Sequence, residues 1–131
     1  MQICNWDTES ASRATEAWLS KFGDKIEFII ANNDGMAQGA VAALQTVGYN
    51  KGNDEKFIPV VGVDATDAAK ELIKKGYMTG TVLQDSEVMA EVLFKVASNV
   101  SHGYDFLDGT DLKYDTSGLS IRIPYKAYNG E

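Results

Sequence analysis

Three short apolar runs in this chain each end on a carboxylate and pass at once into residues with helical spacing. Residues 26–31 lead to Asn33 and Asp34, residues 57–63 lead to Asp64, and residues 78–83 lead to Gln84 and Asp85. Runs of this length, rich in β-branched residues, read as buried strands. Strands that alternate with helices need right-handed crossovers, so the pattern predicts an α/β fold with a parallel sheet and helices on both faces. In such a sheet the carboxyl ends of the strands lie along one edge, where open α/β sheets bind ligands.

The helices can be read from their stripes. Asp7 and Thr8 offer N-caps to a first helix, whose Ala11, Ala14, Trp18, Leu19 and Phe22 form one buried stripe closing at Gly23. Ala37, Ala40, Val41, Leu44 and Val47 make the second, with Gly48 as its stop. Thr66 or Asp67 caps a third, which carries Ala69, Leu72 and Ile73 and ends at Lys74, Lys75 and Gly76. Val88, Met89, Val92, Leu93, Val96 and Val100 line one face of the fourth, with Gly103 after it.

The connecting segments are less regular. Residues 2–5 read as the tail of a preceding strand. The loop 49–56 reads as a solvated turn, because the spacing of Asn50, Asn53, Asp54 and Glu55 fits no calcium loop. Leu119, Ile121, Ile123 and Tyr125 alternate with polar residues, a period of two that predicts a half-exposed strand. A turn at 115–118 would pair it with 112–114 as a short antiparallel hairpin. Asn99 and Ser101 match a glycosylation sequon, read here as a chance match on a helix.

Composition narrows the function classes. At 131 residues the chain suits one domain with a sizeable core. A net charge of −7 argues against nucleic acid, whose binding needs phosphate-neutralising cations. Cys4 is alone, so no disulfide forms within the chain, and no apolar run approaches the roughly 20 residues of a spanning helix. His102 is the single histidine, and no nucleophile-elbow motif accompanies it, so a hydrolase is a distant reading. We expect no catalysis and no cofactor.

Trp6, Asn33, Asp64 and Gln84 are the candidate binding residues. Together with Asp34 and Asp85 they supply an aromatic plate, amides that donate and accept, and carboxylates that accept. Sugars suit that mixture: vicinal hydroxyls match amides and carboxylates, and C–H faces pack on aromatic rings. The competing reading stands beside it, because Asp34, Asp64 and Asp85 each precede a helix and each suits an N-cap.

A family resemblance runs through the same residues. Asn5 to Thr8, residues 29–40 with Asn32, Asn33, Asp34 and Gly35, residues 58–65 ending in Asp64 and Ala65, residues 80–85, and residues 121–125 all contribute to it. In order and spacing they resemble the C-terminal portion of the type I periplasmic sugar-binding family that serves ABC transporters, in its glucose/galactose branch. The resemblance implies that Trp6 stacks on a pyranose face and that Asn33 and Asp64 bond sugar hydroxyls. Gln84 stands where the family typically has Asn, one methylene shorter, which puts the choice of epimer in question. Glu27 matches the glutamate that completes the family's calcium site, but the other ligands fall outside this chain, so no metal is expected.

The resemblance also implies partners and a setting. A monosaccharide would be bound by closure of two lobes, and an ABC permease would recognise the closed form, with a chemoreceptor as a further candidate partner. The setting would be periplasmic, or extracellular with a membrane anchor, and the signal sequence would lie outside this chain. Met1 then reads as a boundary or an internal start. The effector domain of a sugar-responsive repressor shares the fold and is the alternative reading. By the same analogy residues 85–118 would cross to an N-terminal lobe and the strand 121–125 would cross back. The apolar face from Val88 to Val100 would then lack its partner, and soluble monomers rarely expose such a surface. The isolated chain is expected to repack that helix or to self-associate. Light scattering tests this; a monodisperse monomer whose fourth helix exchanges its amides freely is the contrary outcome.

Overall fold

At Gly62 and Gly39 a neighbouring group approaches so closely that an added Cβ would force it to move. A Cβ at Gly62 would lie 2.4 Å from Oδ1 of Asp34, and one at Gly39 would lie 2.1 Å from the Thr8 carbonyl oxygen. The second contact lets helix α1 (Thr8–Phe22) lie against helix α2 (Asp34–Thr46). The computed structural model describes residues 1–52 and 56–131; Asn53, Asp54 and Glu55 of the loop lie outside the described residues.

The chain divides into two compact units, Met1–Leu83 with Lys126–Glu131, and Gln84–Tyr125. In the first unit, strands β1 (Ile29–Ile30) and β2 (Val60–Val61) are parallel, with Ile29 opposite Val60 and Ile30 opposite Val61. Strand β3 (Thr81–Leu83) continues the sheet through parallel bridges from Val61 to Gly80 and from Asp64 to Leu83. Strand β4 (Lys126–Tyr128) closes it, antiparallel to β3. The order is therefore β1-β2-β3-β4. Assigned strands are shorter than the apolar runs, but the ladder extends past them: Ala31 N–H donates to Val61 O at 2.9 Å and Asp64 N–H to Val82 O at 2.8 Å.

The stripes of α2 and of the third helix supply most of the helical part of the core, whereas Val47 at the end of the α2 stripe is exposed. Ala37, Ala40, Val41 and Leu44 of α2 pack with Ile29, Ala31, Ile58, Val60 and Met78, and helix α3 (Asp67–Lys74) adds Ala69 and Ile73. Trp18 and Leu19 of α1 are half-buried, whereas Phe22 at its end is exposed. Asp7 caps α1 by accepting from Ser10 N–H at 2.8 Å, and Gly23, at φ 54°, ends it.

Three expectations require correction. Residues 2–5 form no strand: Ile3 is exposed, and Ile30 of β1 is 67% exposed, on the opposite face of the strand from buried Ile29. The period-two tail makes one antiparallel bridge, Tyr114 to Ile121, around a turn held by the Asp115 carboxylate, and Leu119 stays exposed. The antiparallel ladder lies just beyond it, in β4, because pairing with β3 is a non-local contact that alternation alone does not reveal. Asn50 is not solvated. It is fully buried at φ 49°, with Nδ2 donating to Ile58 O at 2.8 Å and Tyr77 O at 2.9 Å, and Oδ1 accepting from Ile58 N–H at 2.9 Å. Its amide does there the work of a neighbouring strand.

In the second unit, helix α4 (Ser86–Ser101) begins at Asp85, whose carboxylate accepts from Val88 N–H at 3.1 Å. Leu93 and Phe94 are 71% and 77% exposed, and Met89 and Val100 are also exposed. Asn99 is buried, with Nδ2 donating to Phe106 O and Asp108 O, so the sequon's amide is committed to the backbone. No helix among the described residues is long and apolar enough to cross a membrane.

Replacing Asn50 with Ala leaves two carbonyls and one N–H without partners in the interior. Asn50→Ala is expected to lower the unfolding free energy by about 3 kcal/mol. Urea denaturation measures it, and a loss below about 1 kcal/mol would show the loop is held by other contacts.

Candidate functional site

The register of β1 against β2 places the candidate residues. Asn33 lies three residues beyond Ile30 and Asp64 three beyond Val61, and Ile30 and Val61 are direct partners. Both side chains therefore leave the sheet at the same carboxyl edge. The two elements are tied there by Asp34 N–H, which donates to Val63 O at 2.8 Å.

Asn33 is the N-cap of α2: Oδ1 accepts from Met36 N–H at 2.8 Å. Its Nδ2 faces the Trp6 carbonyl oxygen at 3.5 Å, which brings the loop before α1 to this edge. Asp34, expected to cap the helix, does not. It is fully buried, with Oδ2 accepting from Thr66 N–H at 2.7 Å and Thr66 Oγ1 at 3.1 Å, and Oδ1 accepting from Thr81 Oγ1 at 2.5 Å. The reason is positional. One residue inside the helix, a side chain points toward the neighbouring strands and away from the first-turn amides. Asp64 is not a cap either, since Thr66 caps α3 by accepting from Ala69 N–H at 3.3 Å. Of the three aspartates, Asp85 alone caps its helix.

Trp6 follows Asn5 in a tight turn, with Asp7 N–H donating to Cys4 O at 2.9 Å. Asn5 and Trp6 have φ of 49° and 63°, and the indole is 66% exposed. Asparagine tolerates this region, but tryptophan there is an outlier. A second pair of left-handed residues, Asp64 at φ 117° and Ala65 at φ 57°, follows β2. Conformations of this kind cost about 1–3 kcal/mol each and persist where the surroundings over-determine them. Here the surroundings are the Asp34 bonds to Thr66 and a contact from Ala65 N–H to Thr81 Oγ1 at 3.4 Å. Thr81, and the bonds from Thr66 to Asp34 beyond its cap, are what sequence reasoning missed. The signal available was a hydroxyl on a strand and a hydroxyl before a helix, both of which turn out to meet the carboxylate read as an N-cap.

The half-buried Asp64 carboxyl titrates above its ordinary value, first because burial disfavours its charge and second because the Asp34 charge lies nearby; the Asp34 backbone N–H acts in the opposite direction. Gln84 is the first residue of the second unit. There its amide lies 3.9 Å from Met89 Sδ, and it lines a groove of about 550 Å³ with Met89, Arg122 and Tyr125. Glu27 is exposed ahead of β1, and no cluster of three or more metal-ligating side chains occurs among the described residues. In the first unit the loop of Trp6, the Asn33 amide and the Asp64 carboxylate thus belong to segments at the carboxyl ends of the paired strands β1 and β2, and the amide and the carboxylate are groups that can bond hydroxyls.

Comparison with known proteins agrees with this chemistry. The profile of the periplasmic binding protein domain matches residues 1–105. The D-galactose/methyl-galactoside binding periplasmic protein MglB of Haemophilus influenzae is 39% identical over 121 residues, covering 92% of this chain and 34% of that protein. A xylitol-binding protein of Mycolicibacterium smegmatis is 32% identical over 101 residues, covering 77% of this chain and 27% of that protein. Among solved structures, an ABC transporter solute-binding protein of Bacillus halodurans with bound myo-inositol superposes with a TM-score of 0.74 at 35% identity, over 97% of this chain and 38% of that one. A periplasmic solute-binding protein of Actinobacillus succinogenes with bound D-allose gives 0.79 at 26% identity, over 98% and 40%. The chain therefore spans about a third of the length of the curated relatives it matches.

The raised Asp64 pKa has a consequence for stability. Below the ordinary carboxyl value of 3.8 the group is protonated folded and unfolded, and it has no effect. As pH rises through the folded value, Asp64 ionises beside Asp34 and stability falls. The advantage of Asp64→Asn over the parent chain is expected to grow from about pH 3 to about pH 7. Urea midpoints at the two pH values measure it; a constant difference would contradict the shift.

Proposed function

The chain belongs to the periplasmic binding protein family, and from that premise we propose that it forms part of a solute-binding protein that takes up a monosaccharide for an ABC transporter. The observation that carries this reading is that Asn33 and Asp64 follow paired strands at the carboxyl edge of a parallel sheet, where Asn33 Nδ2 meets the backbone carbonyl of Trp6, whose indole is exposed. A pyranose of the glucose or galactose kind would stack its C–H face on Trp6 and direct hydroxyls to the Asn33 amide and the Asp64 carboxylate. Gln84 is carried as a further hydroxyl contact on the family resemblance alone. The 39% identity to a galactose-binding relative supports galactose or glucose, while the xylitol, inositol and allose named for other relatives keep the exact polyol open.

The proposed mechanism is closure of two lobes around the sugar, with a membrane permease recognising the closed form. No catalytic step is involved. A periplasmic setting and a chemoreceptor partner are proposed on the family resemblance. The repressor-domain alternative has the same fold, but the relatives reported above are transport proteins, which favours uptake.

With the opposite wall of such a site outside the chain, binding should be weak. Titrating the isotope-labelled chain with D-galactose is expected to move the Trp6 indole and Asn33 amide resonances saturably, with a Kd of about 1 mM or weaker. Shifts confined to other surfaces would overturn the sugar reading, and micromolar affinity would overturn the two-lobe mechanism.

A further inference from the structure

Asp34 is the fully buried carboxylate that neither helix capping nor ligand contact uses. Its four polar connections converge from three elements: the main chain pairs with Val63 O, Oδ2 takes both the N–H and the hydroxyl of Thr66, and Oδ1 takes the hydroxyl of Thr81. Gly62 leaves the space it occupies, since any Cβ there would meet Oδ1 at 2.4 Å. The segment enclosed by these contacts is the turn at Asp64 and Ala65, with its two left-handed residues.

We propose that Asp34 is the positioning residue of this site, acting through Thr66 and Thr81 to hold the Asp64–Ala65 turn in its left-handed conformation and so to aim the Asp64 carboxylate. The inference rests on the sugar-binding reading for its purpose but not for its geometry. Asp64 N–H is fixed on one side of the turn by Val82 O at 2.8 Å, and Thr66 N–H on the other by Asp34 at 2.7 Å. Between these two anchors the chain must reverse within two residues, and neither is glycine. Without an acceptor at Thr66 N–H, the ordinary extended conformation becomes available to Asp64 and Ala65. Its carboxylate would then leave the strand end in another direction. The carboxylate suits this task better than a neutral amide, because an ionised acceptor takes three donors at once with shorter, stronger bonds. Asp34 thus acts on a ligand only by way of Asp64.

The test has a ligand-free arm and a sugar arm, both on the full 131-residue chain. In the ligand-free arm, NMR couplings and Cα and Cβ shifts report φ at Asp64 and Ala65, and hydrogen exchange reports Thr66 N–H. Asp34→Ala is expected to move both residues out of the left-handed region while the Asn33 cap on Met36 stays intact. Should Asp34→Ala fail to fold, Asp34→Asn decides: Thr66 N–H is expected to exchange about tenfold faster or more. A turn unchanged in every folded variant, with Thr66 exchange unchanged, overturns the proposal. In the sugar arm, Asp34→Asn is expected to weaken the D-galactose response of the Asn33 amide about tenfold, and to have no further effect once Asp64→Ala is present. An additive effect of the two substitutions overturns the route through Asp64. A parent chain without any galactose response overturns the sugar reading and leaves the ligand-free arm to decide on Asp34.

Discussion

The buried carboxylate of Asp34 is the interaction on which the rest of the first unit depends. Placing a charge among Ala37, Gly62 and Met78 is unfavourable unless both oxygens find donors, and three donors from Thr66 and Thr81 reach them. Those donors belong to the segments that follow β2 and lie on β3. The first turn of α2 is thereby locked to the start of α3 and to the centre of the sheet. Apolar packing of Leu44, Val60 and Met78 would hold the layers together without specifying which residue of one strand end faces which of another. The carboxylate adds that specification, in the place where a binding protein needs it.

The alternation of strand and helix was legible because both periods are local. α1 to α4 fall where the stripes predicted, and Asp7, Thr66 and Asp85 cap as their positions suggest. What could not be read is what depends on partners far along the chain. Asn33 and Asp34 are adjacent and chemically alike, and only the direction of each side chain assigns one to the helix amides and the other to Thr66 and Thr81. Asn50 looked like a loop residue because its neighbours are polar; its burial follows from Ile58 and Tyr77, which the loop brings against it. The period of two at 119–125 was real but insufficient, since a strand also needs an edge to pair with, and β3 offers that edge to Lys126–Tyr128.

The candidate site shows the same division. Trp6, Asn33 and Asp64 were identifiable as aromatic or polar groups at the strand ends, but that Asn33 would cap α2 and Asp64, which suited a cap, would not cap α3 was not. Their strain was not identifiable. Two consecutive left-handed pairs, Asn5 with Trp6 and Asp64 with Ala65, flank the site, and no glycine marks either pair. A chain designed for stability alone would put glycine or asparagine at 6, 64 and 65, as it has asparagine at 5. Keeping an indole and a carboxylate there is consistent with selection for what the side chains touch.

The contact between Gly62 and Asp34 bears on how such a chain can change over generations. A side chain at 62 excludes the carboxylate at 34, and loss of the carboxylate at 34 opens a void that a side chain at 62 would fill. The two positions, 28 residues apart, are therefore coupled: what stands at one limits what the other accepts. Lineages that part company at one should part company at the other. In their descendants the Asp64 turn would need a different anchor, and with it the ligand preference would be free to drift.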